Sequence, residues 1–152
     1  MRKIALAAAS LVAVALAGPV AAEDVPMDKV EQAVKYRQAV MSTMGGLVGT
    51  AVGQLRDGFE FGPGLDTVAA SLVATTDDIP ALFPAGTDFG ETDATAEVWS
   101  DAEGFAEKSK EAKEAAASFQ EAVASGDKAT LMGAFKAVGD SCKGCHEAYR
   151  KQ

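Results

Sequence analysis

The sequence predicts an all-α protein, an antiparallel up-down-up-down four-helix bundle. Three observations carry that prediction. Apolar residues recur at alternating steps of four and three in four stretches, the spacing of one face of a helix. Strand-like alternation is almost absent. Glycine, proline and aspartate mark the breaks between the periodic stretches.

The first 22 residues are set apart from this pattern. Arg2 and Lys3 are followed by an apolar run from Ile4 to Ala17, a Gly18-Pro19 break and the small residues Val20-Ala21-Ala22. That is the layout of a cleaved secretory signal peptide. The run is shorter than the roughly 20 apolar residues a membrane span requires. Residues 23–152 then form the domain, long enough for one ordinary core.

The first bundle helix carries Val30, Val34, Arg37, Met41, Met44, Val48, Ala51 and Leu55 along one seam. Asp57-Gly58 and Gly62-Pro63-Gly64 end it. The second runs from about Leu65 to Ala74, with Leu65, Val68, Leu72 and Val73 inward. A long connection, "IPALFPAGTDFGETDAT", follows. The third helix is expected as one continuous element bearing Val98, Ala102, Phe105, Ser109, Ala112, Ala116, Phe119 and Val123. Ser125-Gly126-Asp127 closes it and caps the fourth, whose seam is Leu131, Phe135, Val138, Cys142, Cys145 and Tyr149. Seams of this rhythm suit helices packed nearly antiparallel.

The full chain has a formal charge of −8, and loss of residues 1–22 removes two further positive charges. A surface this acidic argues against nucleic acid and anionic lipid as partners, and no second segment is long enough for stable membrane insertion. Export of an acidic chain points to a bacterial periplasm, an oxidising compartment in which cysteines pair or are used.

Both cysteines and the single histidine fall in "DSCKGCHEAYRKQ". Cys142, Cys145, His146 and Tyr149 are spaced to share one helix face. A thioredoxin-type dithiol needs a βαβ setting, which the pattern lacks. A structural zinc site needs four protein ligands, more than this chain's thiols and imidazole supply. A disulfide between the two cysteines is a third alternative. The C-x-x-C-H order favours covalent haem attachment. Thiols one turn apart reach the two vinyl groups on one porphyrin edge, and the adjacent imidazole lies under the iron. One haem c per chain, tethered by Cys142 and Cys145 with His146 as proximal ligand, is therefore the expected cofactor. Arg150, one turn after His146, is either a cation at a helix C-terminus or a group beside that imidazole.

Arg37 is the odd member of the first seam. A buried guanidinium is costly unless paired, and no acidic residue occupies another seam, so Arg37 is assigned to a haem propionate, with Gln38 beside it. Met41, one turn further, would then lie over the haem face, where a thioether makes a sixth iron ligand; Met44 competes less well. Ala39, Ser42, Gly46, Gly49 and Gly53 form a small-residue stripe opposite the seam, which predicts a homodimer packed first helix on first helix.

These residues resemble the class II c-type cytochromes, the cytochrome c-prime family, over essentially all of residues 23–152. "VKYRQAVMSTMGG" is similar to the family's first helix, "LFPAGTD" to its central loop, "EVW" to the start of its third helix and "VGDSCKGCHEAYRK" to its haem-binding end. The resemblance implies a periplasmic four-helix bundle, often dimeric, with haem-edge contacts from Arg37, Gln38, Thr87 and Asp88. Members of one branch place a Met on the iron and are low-spin. Those of the other leave the iron five-coordinate and high-spin, and bind NO or CO. The residue four after the seam Arg decides, and Met41 favours the low-spin branch. The expected function is transfer of single electrons between periplasmic redox proteins rather than enzymic turnover, with five-coordinate NO or CO binding as the alternative.

Overall fold

The computed structural model describes residues 25–56 and 64–152. The segment expected to be a signal peptide and the breaks expected at Asp57-Gly58 and Gly62-Pro63 lie outside the described residues. Among the described residues five α-helices follow in order: α1 Met27–Leu55, α2 Leu65–Thr76, α3 Glu97–Ser100, α4 Ala102–Ser125 and α5 Lys128–Tyr149. A 3-10 turn, Pro80–Leu82, sits in the connection between α2 and α3.

α1 begins where the Pro26 carbonyl accepts hydrogen bonds from the amides of Lys29 (2.9 Å) and Val30 (3.1 Å). It stays helical through Gly45, Gly46, Gly49 and Gly53, each costing about 1 kcal/mol relative to Ala. Burial of Val30, Val34, Arg37, Met44 and Ala51 on its inward face offsets that cost. α4 ends at Gly126, whose φ of 71° is a left-handed conformation that favours glycine. The next residue, Asp127, caps α5 by accepting from the Thr130 amide at 2.7 Å.

One sequence expectation is corrected. The third helix is not continuous from Val98 through Ala102. Asp101, at φ −117° and ψ 55°, breaks it into α3 and α4. Its carboxylate accepts from the Gly104 amide at 3.2 Å and from the Tyr149 hydroxyl at 2.7 Å. Capping and a tertiary bond together outweigh continuation of the helix, and Ala102, expected inward, is exposed. α2 also runs two residues beyond Ala74, to Thr76.

The long helices pack α1 on α2, α2 on α4 and α4 on α5, with α3 against α4 and α5. α1 and α5 do not pack closely on each other. The core divides into two clusters. The lower one holds Ala51, Val68, Ala69, Leu72, Ala116, Phe119 and Val138. The upper one holds Ile79, Val98, Phe105, Ala112 and Tyr149, with Met41, Phe83, Trp99 and Cys145 packed against it. α1 and α4 run from upper to lower and α2 and α5 from lower to upper, which is the expected alternation.

Candidate haem site

α5 presents Cys142 and Cys145 half-buried and as free thiols. Cys142 packs against the lower cluster and Cys145 against the upper one. Burial pushes both thiols above their ordinary range, and for Cys145 the neighbouring Cys142 adds to it. Both therefore remain protonated at neutral pH. His146 is exposed on the outer side of the helix, beside Lys143, Glu147 and Arg150 along an open groove. Partial shielding of the ring from water by its helix neighbours, and then the charge of Arg150, lowers its pKa. The shift favours the neutral imidazole, the form with a lone pair free for a metal. Arg150 itself caps α5 and lies 3.5 Å from Asp93.

On the facing helix, Arg37 is 3% exposed. Its Nη1 donates to Thr87 Oγ1 at 2.9 Å. Its Nη2 donates to the Thr87 carbonyl at 2.9 Å and to Thr92 Oγ1 at 2.8 Å. The guanidinium also stands over the rings of Phe83 (5.1 Å) and Trp99 (5.5 Å). Burial lowers its pKa, yet a guanidinium stays charged in proteins. Among the described residues it makes no ion pair. It is thus a buried cation held by neutral acceptors, with N–H groups on Nε and Nη1 beyond those bonds.

The other predicted residues are placed unevenly. Gln38 is exposed and donates to the Glu91 carbonyl at 3.0 Å. Thr87 is buried and also donates to the Pro84 carbonyl at 2.8 Å. Asp88 is exposed. Met41 is half-buried, against the same upper cluster as Cys145, and Met44 is buried. The sequence reading did not single out Thr92 or Asp101, and it placed Phe83 and Trp99 in the stretches "LFPAGTD" and "EVW" and Tyr149 on the fourth seam without giving them these partners.

This donor set fits a haem on three counts. Two thiols lie one turn apart beside an imidazole. The helices that carry Met41 and Cys145 do not pack closely on each other, although both side chains reach the upper cluster. A buried cation lacks a counter-ion where a propionate would supply one.

The comparisons with known proteins agree with that chemistry. The family model described as Cytochrome C' matches residues 32–150. The cytochrome c' of Alcaligenes xylosoxydans xylosoxydans is 34% identical over 125 residues, covering 82% of this chain and 97% of that protein. A nitric oxide complex of a variant cytochrome c prime from Alcaligenes xylosoxidans superposes with a TM-score of 0.70 at 32% identity, over 81% of this chain and 96% of that one. A further cytochrome c', described as having a ligand-controlled dimer dissociation, gives a TM-score of 0.71 at 28% identity, over 81% and 97% of the two chains. A four-helix bundle with a C-x-x-C-H helix and a match of this extent makes the chain a member of the cytochrome c' family. Its cofactor is the family's covalently bound haem c. Among the described residues, no helix is long and apolar enough to cross a membrane.

Proposed function

We propose that Cys142 and Cys145 would hold the haem as thioethers, that His146 would supply the imidazole for its iron, and that the group so held would bind a small neutral ligand such as nitric oxide or carbon monoxide. The haem supplies the iron on which such a ligand binds. The observation that carries this reading is the likeness, at 32% identity, to a cytochrome c prime for which a nitric oxide complex is described. The Met41 side chain packs against the Ile79, Val98, Phe105, Ala112 and Tyr149 cluster and forms part of an apolar wall. A wall of that kind favours a neutral diatomic over water or anions. Arg37 holds the acidic edge of the group, and Thr87 fixes Arg37.

A second reading makes this chain a carrier of single electrons with Met41 as the sixth ligand. It is favoured by the placement of Met41 one turn after Arg37, against the cluster that Cys145 also touches. The optical and EPR spectra of the oxidised protein, matured in a host that attaches haem, separate the two. The open-face reading expects a high-spin ferric signal, ready uptake of CO after reduction, and little change in Met41→Leu. A low-spin signal that turns high-spin in Met41→Leu would replace it with the electron-carrier reading.

We also propose a periplasmic homodimer. Ala39, Ser42, Gly46 and Gly49 are exposed, and a Cβ placed at Gly46, Gly49 or Gly53 would meet nothing within 4 Å. This leaves room for the first helix of a second copy, and the dimer named for a relative supports it.

A further inference from the structure

The upper ends of α1 and α5 are joined through the connection between α2 and α3. Residues 87–95 act as a strap that is bonded on both sides. Toward α1, Thr87 and Thr92 accept from Arg37, and the Glu91 carbonyl accepts from Gln38. Toward α5, the Thr95 amide donates to the Tyr149 carbonyl at 3.0 Å, and the Lys151 amide donates to the Asp93 carbonyl at 2.8 Å. Ala94 and Arg150 form an isolated antiparallel bridge.

Thr92 is the one residue in this strap that takes bonds from both helices' ends through its own atoms. Its Oγ1 accepts from Arg37 Nη2 at 2.8 Å and from the Ala94 amide at 3.1 Å. Its carbonyl accepts from Lys151 Nζ at 2.7 Å. It is 6% exposed, so water does not readily replace a lost partner. The two Oγ1 bonds occupy both acceptor sites of a hydroxyl.

We propose that Thr92 is a positioning residue for the haem site, locking the guanidinium of Arg37 in register with the C-terminal end of α5. The inference rests on the haem reading above. Its chemical content is the placement of a buried positive charge. A guanidinium held near the cofactor in a medium of low dielectric favours the reduced, less positive iron. Released to a looser, better hydrated position, it favours it less.

The test uses the haem-loaded protein and reads its reduction potential. Thr92→Val keeps the shape of the side chain and removes both acceptor sites; Thr92→Ser keeps the hydroxyl. The expected result is a lower potential in Thr92→Val, seen as a several-fold rise in the ferric-to-ferrous ratio at fixed ambient potential, with recovery in Thr92→Ser. Arg37→Lys should lower the potential in the parent protein and have little further effect in a Thr92→Val background, because both changes act through one group. A Thr92→Val protein that loses stability but keeps the parent potential would overturn the proposal, as would strict additivity with Arg37→Lys. If Thr92→Val does not fold, Lys151→Met removes the bond from Lys151 Nζ to the Thr92 carbonyl and leaves the backbone ties of the strap in place. It should then weaken the effect of Arg37→Lys, and an undiminished effect counts against the proposal. A chain recovered without haem would sink the haem reading instead. In that protein, sharp Arg37 side-chain resonances that vanish in Thr92→Val would still support the positioning role, and unchanged ones would end it.

Discussion

In the lower cluster, four long helices meet through Ala51, Val68, Ala69, Leu72, Ala116, Phe119 and Val138, and every one of these residues is apolar. Around the upper cluster the buried set also includes Arg37, Thr87 and Thr92, and the connection between α2 and α3 replaces direct packing of α1 on α5. One half is stabilised by area removed from water. The other gives up part of that area and recovers cohesion through specific hydrogen bonds. A bundle that must admit a flat group between two of its helices needs both, because a uniformly apolar core would close the gap.

That contrast can be broken most directly at Phe119, which is fully buried and packs at a tilt against Phe135, with ring centroids 5.4 Å apart. Phe119→Ala should cost about 3–5 kcal/mol in urea unfolding, while the haem spectrum of the folded fraction stays that of the parent. A spectral change of the size caused by altering Arg37 would show that the two halves are not separate. A smaller effect is expected at Tyr149. The hydrogen bond to Asp101, then burial, pushes its phenol up to about 12, above the ordinary value near 10. A raised pKa adds stability that is fully present below pH 10 and lost as pH rises from 10 through about 12. Urea midpoints should therefore fall more steeply across that window in the parent than in Tyr149→Phe, and Tyr149→Phe should be the less stable at pH 8. Equal slopes would remove the Asp101 bond from the account. The smallest effect belongs outside both halves. Lys35 and Glu31 are 75% and 62% exposed on α1, and Lys35→Ala should change stability by no more than about 0.5 kcal/mol.

The same division explains what was legible in the sequence. Val34, Arg37, Met44 and Ala51 are buried as their spacing requires, as are Phe105, Ser109, Ala112, Ala116 and Phe119, because helical periodicity is a local signal. Cys142, Cys145 and His146 were legible because their chemistry is packed into one turn of α5. The break at Asp101 was hidden because Ala102 continues the four–three rhythm, and only the distant Tyr149 hydroxyl reveals what Asp101 does instead. The partners of Arg37 were hidden for a related reason. The seam showed that a buried cation needed an acceptor, but nothing periodic in "AGTDFGETDAT" shows which threonines would fold back to it.

Separation along the chain has a temporal side. α4 and α5 are joined by Gly126-Asp127 alone, whereas the ties of the upper half close long loops: Arg37 to Thr92 spans 55 positions, Tyr149 to Asp101 spans 48, and Lys151 to Thr92 spans 59. The entropy of loop closure rises with length, and widely separated contacts form late. Loop length therefore predicts that the α4–α5 hairpin takes shape first and the strap over the upper end last. In the interval, both thiols and the imidazole of α5 stand on a formed helix whose end the strap has not yet tied down, open to whatever machinery must reach them.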